Sequence, residues 1–172
     1  FERAQEYVQE IVALTPDAPI TKARASAWHL SGFLAMMRGE FLLAQDYLLR
    51  ALTAFQTLQL RAYEARVLSN LGLVAKDRVE LERATEYHLA ALALRRELGL
   101  QAEIGQSLFN LAIVAYWRKD YAGAIRMGSE AYTLRMAEGN FSGAGYVLET
   151  IGMAHFNLGQ YNEAIQALQS SL

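Results

Sequence analysis

The chain has 172 residues, of which 53% are hydrophobic, with a formal net charge of −2 and no cysteine. This composition supports a packed core and argues against disorder. Because both signs of charge are interspersed, the chain lacks the basic excess of a nucleic-acid-binding protein and the Lys/Arg-rich face of a membrane-surface helix. The absence of cysteine excludes disulfides and thiolate metal sites. The only prolines are Pro16 and Pro19, and strong helix formers dominate elsewhere, so the composition predicts an all-α protein.

The predicted elements are helices separated by short breaks. A first helix covers about residues 1–15 and ends before "TPDAPI", and helix pairs follow at about 22–38 with 41–58, 62–78 with 81–98, 102–118 with 121–138, and 142–158 with 161–172. The short breaks "RGEF", "DRVEL", "RKDY" and "LGQY" make the paired helices antiparallel. Gly99 and Gly139 fall where the second helix of a pair should end, a position that favours glycine. Gln59 occupies that position in the first pair, where the stop is less clearly marked.

The same residue types recur every 40 residues. One column holds only alanine, a second holds small residues, and a third holds large ones: Ala4, Ala44, Ala84, Ala124 and Ala164; Gly32, Gly72, Ala112 and Gly152; Trp28, Leu68, Leu108 and Leu148. On the first helix of each pair, the large residue is a knob and the small residue allows a second helix to approach closely. Since no pair can bury its apolar faces alone, the pairs are expected to stack into a solenoid.

These columns resemble the tetratricopeptide repeat (TPR) family over essentially the whole chain. The resemblance implies one domain, an all-α, right-handed superhelical solenoid of antiparallel helix pairs, with a half repeat at 1–15 and repeats at about 22–58, 62–98, 102–138 and 142–172. The period is longer than the usual value of about 34 residues. Phrases such as "NLGLVA" and "SLFNLAIVAY" are similar to a long-repeat subclass found in MalT-like bacterial regulators and in kinesin light chains. The chain begins on Phe1 without a methionine, and we expect it to be a fragment of a longer cytoplasmic protein.

No sequence motif points to catalysis. The phosphate-binding Gly-x4-Gly-Lys-Ser/Thr string is absent, and the glycine-rich "GNFSGAG" at 139–145 lies between two predicted helices with no strand before it. His29, His88 and His155 have no carboxylate or second histidine at metal-ligand spacing, and the last two stand in packing columns. We therefore predict a non-enzyme with no catalytic residues, no metal and no cofactor.

The resemblance implies that the first helix of each pair lines a concave groove. The predicted groove and partner-binding residues are His29, Phe33, Arg66, Asn70, Lys76, Gln106, Asn110, Tyr116, Trp117, Tyr146, Glu149 and Phe156. Asn70 and Asn110 share one column, and an amide there can bond the backbone of a bound peptide because it both donates and accepts. For the aromatic residues, packing in the core is an equal alternative to exposure in the groove. The lysine–asparagine pattern by which some relatives hold an acidic C-terminus is matched only by the two asparagines.

The leading functional prediction is a protein–protein interaction module that holds a peptide or partner segment in this groove. In that role the chain would be the sensor or docking part of a larger bacterial regulator of signalling and transcription. One alternative is a small-molecule effector domain of a MalT-like signalling ATPase, for which a closed, aromatic-walled pocket is expected. Another is a structural scaffold that self-associates through exposed ends of the solenoid. Neither nucleic acid nor membrane is expected as a direct partner.

Overall fold

A computed structural model of the protein describes residues 19–171, and the regular structure in this range is helical. The helices are α1 Lys22–Met37, α2 Phe41–Thr57, α3 Arg61–Asp77, α4 Leu81–Glu97, α5 Gln101–Trp117, α6 Tyr121–Ala137, α7 Phe141–Asn157 and α8 Tyr161–Ser170. They form consecutive antiparallel pairs, which confirms the prediction of an all-α repeat fold, with each helix end within two residues of its predicted position. The helix predicted at 1–15 lies outside the described residues. Within 19–171, no helix combines the length and apolar character needed to cross a bilayer.

The chain divides into two compact units whose boundary falls between Tyr87 and His88, inside α4. In the first unit, α2 packs against both α1 and α3. The core of this unit contains Leu48, Phe55, Val67, Leu71 and Val74. In the second unit, α6 packs against α5 and α7, and α8 packs on α7. The core of that unit contains Leu92, Leu108, Leu111, Val147 and Ile151.

Each helix from α1 to α7 ends in the same kind of turn, and the turns recur every 20 residues. One residue in each turn has a φ between 54° and 76°: Gly39, Gln59, Val79, Gly99, Lys119, Gly139 and Gly159. Its N–H and the following N–H bond back to the last helical turn, as Gly39 N does to Met36 O and Glu40 N does to Ala35 O, both at 3.0 Å. This is the Schellman arrangement, which satisfies two otherwise free carbonyl groups. The predicted stops at Gly99 and Gly139 are confirmed, and Gln59 ends α2 in the same way without a glycine.

The small-residue column brings the two helices of a pair into close contact. A Cβ atom on Gly32 would lie 2.6 Å from Leu48 Cγ, and one on Gly152 would lie 2.8 Å from Leu168 Cγ. In the third pair, Ala112 stands in the glycine column, and Gly128 stands where the first and fourth pairs have leucine and the second pair has His88. Both residues are buried. In the first and fourth pairs, the glycine therefore makes room for the leucine side chain of the facing helix.

Candidate functional site

In the first unit, the adjacent first helices α1 and α3 are bridged by His29 and Asn70. The Asn70 Nδ2 atom lies 2.9 Å from His29 Nε2. Because an amide nitrogen can only donate, His29 Nε2 accepts, and the imidazole is neutral in this arrangement. Burial lowers the pKa of His29, and the positive charge of Arg66 lowers that pKa further. Both bridging residues are half-buried. The structure thus joins these two predicted groove residues into one neutral polar bridge.

Tyr63 is the aromatic centre beside this bridge, and the sequence analysis did not select it. Its ring stacks on the buried ring of Phe55, with the two centroids 5.0 Å apart. Lys22 Nζ lies 4.7 Å and Arg66 Cζ lies 5.6 Å from the centroid of the Tyr63 ring. Lys22 lowers the pKa of Tyr63, chiefly through a hydrogen bond to its side chain. The sequence does contain a signal for this contact. Arg66 follows Tyr63 by three positions on one helix, and this spacing places the two side chains side by side.

The other predicted groove residues of the first unit, Phe33 and Lys76, differ in how well they could contact a partner. Phe33 is 40% exposed on α1, so its ring is open to solvent rather than packed in the core. Lys76 is half-buried, and its ammonium group forms an ion pair with Asp77 at 2.6 Å. Because this carboxylate neutralises it, Lys76 contributes little positive charge to the surface.

In the second unit, Gln106 and Asn110 form a polar cluster with Arg135 from α6. Gln106 Nε2 donates to Asn110 Oδ1 at 2.8 Å, and Arg135 donates to Gln106 Oε1, also at 2.8 Å. The guanidinium of Arg135 lies 4.9 Å from the ring centroid of Phe109, and burial lowers its pKa. Asn110 is only 4% exposed. This corrects the expectation that its amide is open to the groove: Gln106, one helical turn earlier, already occupies its oxygen.

The end of α5 and the end of α7 carry the aromatic residues predicted for the second unit. Asn157 Nδ2 donates to the hydroxyl of half-buried Tyr116 at 3.3 Å and to Met153 O at 2.8 Å. Trp117 and Phe156 are 63% and 60% exposed, respectively. The ring of Phe156 lies against that of Tyr161, with the centroids 5.6 Å apart. Trp117 and Phe156 are therefore exposed rather than packed in the core.

Two depressions lie on the surfaces of the separate units. The first, of about 670 Å³, opens broadly to solvent and is lined by Gly39, Glu40, Phe41, Leu42, Leu43 and Arg78. The second, of about 590 Å³, is half-open and lies among α6, α7 and the end of α8, where Tyr146 and Glu149 contribute to its wall. Neither is the closed, aromatic-walled pocket expected of a small-molecule sensor. In the described part of the chain, no group of three or more His, Asp and Glu side chains could hold a metal ion.

Solved structures share this fold. BtubC (BKLC) from P. vanneervenii has 19% sequence identity and a TM-score of 0.88, and the match covers 99% of this chain and 71% of that one. A kinesin-light-chain-like protein from P. anserina, with nearly identical TPR-like repeats, has 13% identity and a TM-score of 0.80, covering 99% and 84% of the two chains. A Rap protein in complex with Competence and Sporulation Factor has 17% identity and a TM-score of 0.80, covering 97% of this chain and 48% of that one.

These similarities establish a TPR-like repeat fold. At such low identity they concern the fold alone, and this chain spans about half the length of the Rap protein. The resemblance to the MalT-like subclass stays a prediction. No family model matches the chain, and no curated protein matches it.

Proposed function

We propose that the chain is a protein–protein interaction module that holds extended peptide or partner segments against the exposed first helices of each unit, α1 and α3 in the first unit and α5 and α7 in the second. The observation that carries this proposal is the pair of amide oxygens offered by Asn70 and Asn157. Each asparagine uses its Nδ2 atom to bridge to the preceding first helix, to His29 and to Tyr116 respectively. Within residues 19–171, neither Oδ1 atom has a partner of its own. Each can therefore accept a backbone N–H from a bound segment.

The side chains around these amides suit an apolar or aromatic partner segment. Phe33 accompanies the Asn70 bridge, and Trp117, Met153 and Phe156 accompany Asn157; all four are at least 40% exposed. Aromatic residues and methionine are enriched in protein interfaces, and the flexible methionine side chain adapts to the shape of a partner. The Rap protein of the same fold, which holds Competence and Sporulation Factor, lends support by analogy of fold.

The finer assignment follows from the sequence resemblance. We propose a binding rather than a catalytic role, in which the chain acts as the docking or sensor segment of a larger cytoplasmic bacterial regulator. The small-molecule alternative gains no support from the two open depressions.

The test is selection of peptides from a displayed random library on the immobilised chain, followed by affinity measurements on the selected peptides by fluorescence anisotropy. The double variant Asn70→Ala/Asn157→Ala removes both proposed acceptors. A matched control is Asn162→Ala, which truncates an exposed asparagine on α8. We expect the double variant to bind the selected peptides about tenfold more weakly, since each neutral hydrogen bond contributes about 0.5–1.5 kcal/mol. The control should bind like the wild type.

Two results would contradict the proposal. Equal binding by the wild type and the double variant would show that peptides bind elsewhere. Failure to select any peptide from the library would contradict the proposed peptide-binding function as a whole. Circular dichroism of each variant establishes that a loss of binding is not a loss of folding.

A further inference from the structure

We infer that the first unit contains a recognition point for an acidic side chain of the partner segment, formed by Lys22 and Arg66 at the ring of Tyr63. The inference rests on the proposed function for the nature of the partner, and it adds the chemistry that the partner must carry. Lys22 is the first residue of α1, and Arg66 lies on α3, so the two cations come from adjacent first helices.

Both cations are held in place by the protein. Tyr63 is fixed by stacking on Phe55, which is completely buried. Lys22 and Arg66 both contact this ring through cation–π interactions at 4.7 and 5.6 Å from its centroid. A free lysine or arginine side chain loses considerable rotamer entropy when it binds a ligand. Side chains that are already ordered against one ring lose less, and one anionic group near that ring feels both charges.

The two charges are not compensated within residues 19–171. Neither cation has an acidic side chain within ion-pair distance there, whereas Arg50, Lys76, Arg78, Arg83 and Arg96 each have one. Glu64, next to Tyr63 in sequence, instead accepts a hydrogen bond from Gln56 at 3.1 Å. The positive charge of Arg66 also acts on His29, whose pKa is lowered first by burial and then by this charge.

The surroundings favour a carboxylate on a polypeptide over a nucleic acid. Only two uncompensated cations meet at Tyr63, whereas nucleic-acid binding relies on many phosphate contacts and a basic surface. The whole chain has a net charge of −2. The amide oxygen of Asn70 and the exposed ring of Phe33 lie on the same two helices, where they can contact the backbone and an apolar side chain of the same segment.

The test uses a defined acidic probe, the blocked peptide acetyl-tetraglutamate amide, titrated into the ¹⁵N-labelled chain and compared with acetyl-tetraglutamine amide. We expect the acidic peptide to shift the amide signals around Tyr63 and Arg66, and the neutral peptide to leave them in place. In the variant Lys22→Gln/Arg66→Gln, the affinity for the acidic peptide should fall about fivefold, because each exposed ion pair contributes only a fraction of a kcal/mol to about 1 kcal/mol.

A matched control makes the same change in charge elsewhere. Lys119→Gln/Arg126→Gln removes two exposed cations of the second unit and should leave the signal shifts at Tyr63 unchanged. Equal shifts with both peptides, or equal weakening in both double variants, would overturn the inference. If selected peptides require Asn70 and Asn157 while tetraglutamate does not bind at Tyr63, the inference fails and the proposed function stands. If tetraglutamate binds at Tyr63 while no selected peptide requires Asn70 and Asn157, the acidic site stands and the proposed function fails.

Discussion

At the scale of single residues, Val79 is a local conflict between side chain and backbone. Its φ is 62°, in the left-handed region that β-branched residues strongly disfavour, and it stands where four of the six other turns have glycine. The side chain is 75% exposed, so its packing contributes little stability to offset this backbone strain. We expect Val79→Gly to raise the free energy of unfolding by about 1 kcal/mol, because removing the strain outweighs the greater freedom that glycine gives the unfolded chain. Urea denaturation followed by circular dichroism measures this.

The reverse substitution at an equivalent turn is the control for Val79. Gly139 has a φ of 72° and ends α6. Gly139→Val should lower the free energy of unfolding by about 1–2 kcal/mol, since it introduces the strain that Val79→Gly removes. If neither variant changes stability, the turns tolerate other conformations and the left-handed residue is not needed to end the helices.

Asn70 and Asn110 show what a repeat column can and cannot predict at this scale. The column places both residues at the same point of a first helix, and the prediction that both amides face the groove rests on that equivalence. One turn earlier on each helix, however, the residues differ. Gln106 bonds to Asn110, whereas Arg66 is at the ring of Tyr63 and leaves Asn70 to bridge to His29. The position in a repeat column predicts the direction in which a side chain points. The neighbouring side chains decide which of its polar atoms remain available to bind a partner.

At the scale of helices, the close approach of α1 and α2 depends on Gly32. We expect Gly32→Ala to lower the free energy of unfolding by about 1–3 kcal/mol, because the new Cβ atom would lie 2.6 Å from Leu48 Cγ. The control is Gly105→Ala on α5, where the Cβ atom would meet Leu134 Cβ at 3.5 Å, an ordinary contact. There the better helix propensity of alanine should raise stability by up to about 1 kcal/mol. Thermal denaturation of both variants would reject the close-approach explanation if they moved stability in the same direction.

Helix boundaries were predictable from the sequence because knobs, small residues and alanines recur at fixed offsets on buried faces. The left-handed backbone conformation at the turns without glycine was not predictable. Gln59, Val79 and Lys119 adopt a conformation that their side chains do not favour, and only the hydrogen bonds of the turn reveal it. Tyr63 was missed for a related reason. Its equivalents are Ala23, Glu103 and Gly143, so no column marks it, and its role arises from contacts between helices.

At the scale of the whole molecule, weak charge repulsion and exposed apolar side chains favour self-association. The net charge is −2, and the isoelectric point is about 6.0. On α8, Tyr161, Ile165 and Leu168 are 60%, 54% and 41% exposed. A protein near neutral charge has little electrostatic resistance to association, so apolar residues on one helix can bring copies together. Self-association of the chain through α8 therefore remains a prediction that the exposed residues support.

Ile165→Lys tests this prediction without disturbing the core. Leu168 is less suitable, because it packs closely over Gly152. We expect the sedimentation coefficient of the wild type to rise with concentration, and Ile165→Lys to remove that dependence by placing a charge in the contact. Leu42→Lys makes the same change at a side chain that is 73% exposed in the first unit, and it should behave like the wild type. If Leu42→Lys abolished association instead, the contact would lie at the depression near Phe41. A wild type that sediments independently of concentration would mean that the exposed residues of α8 do not join copies of this chain.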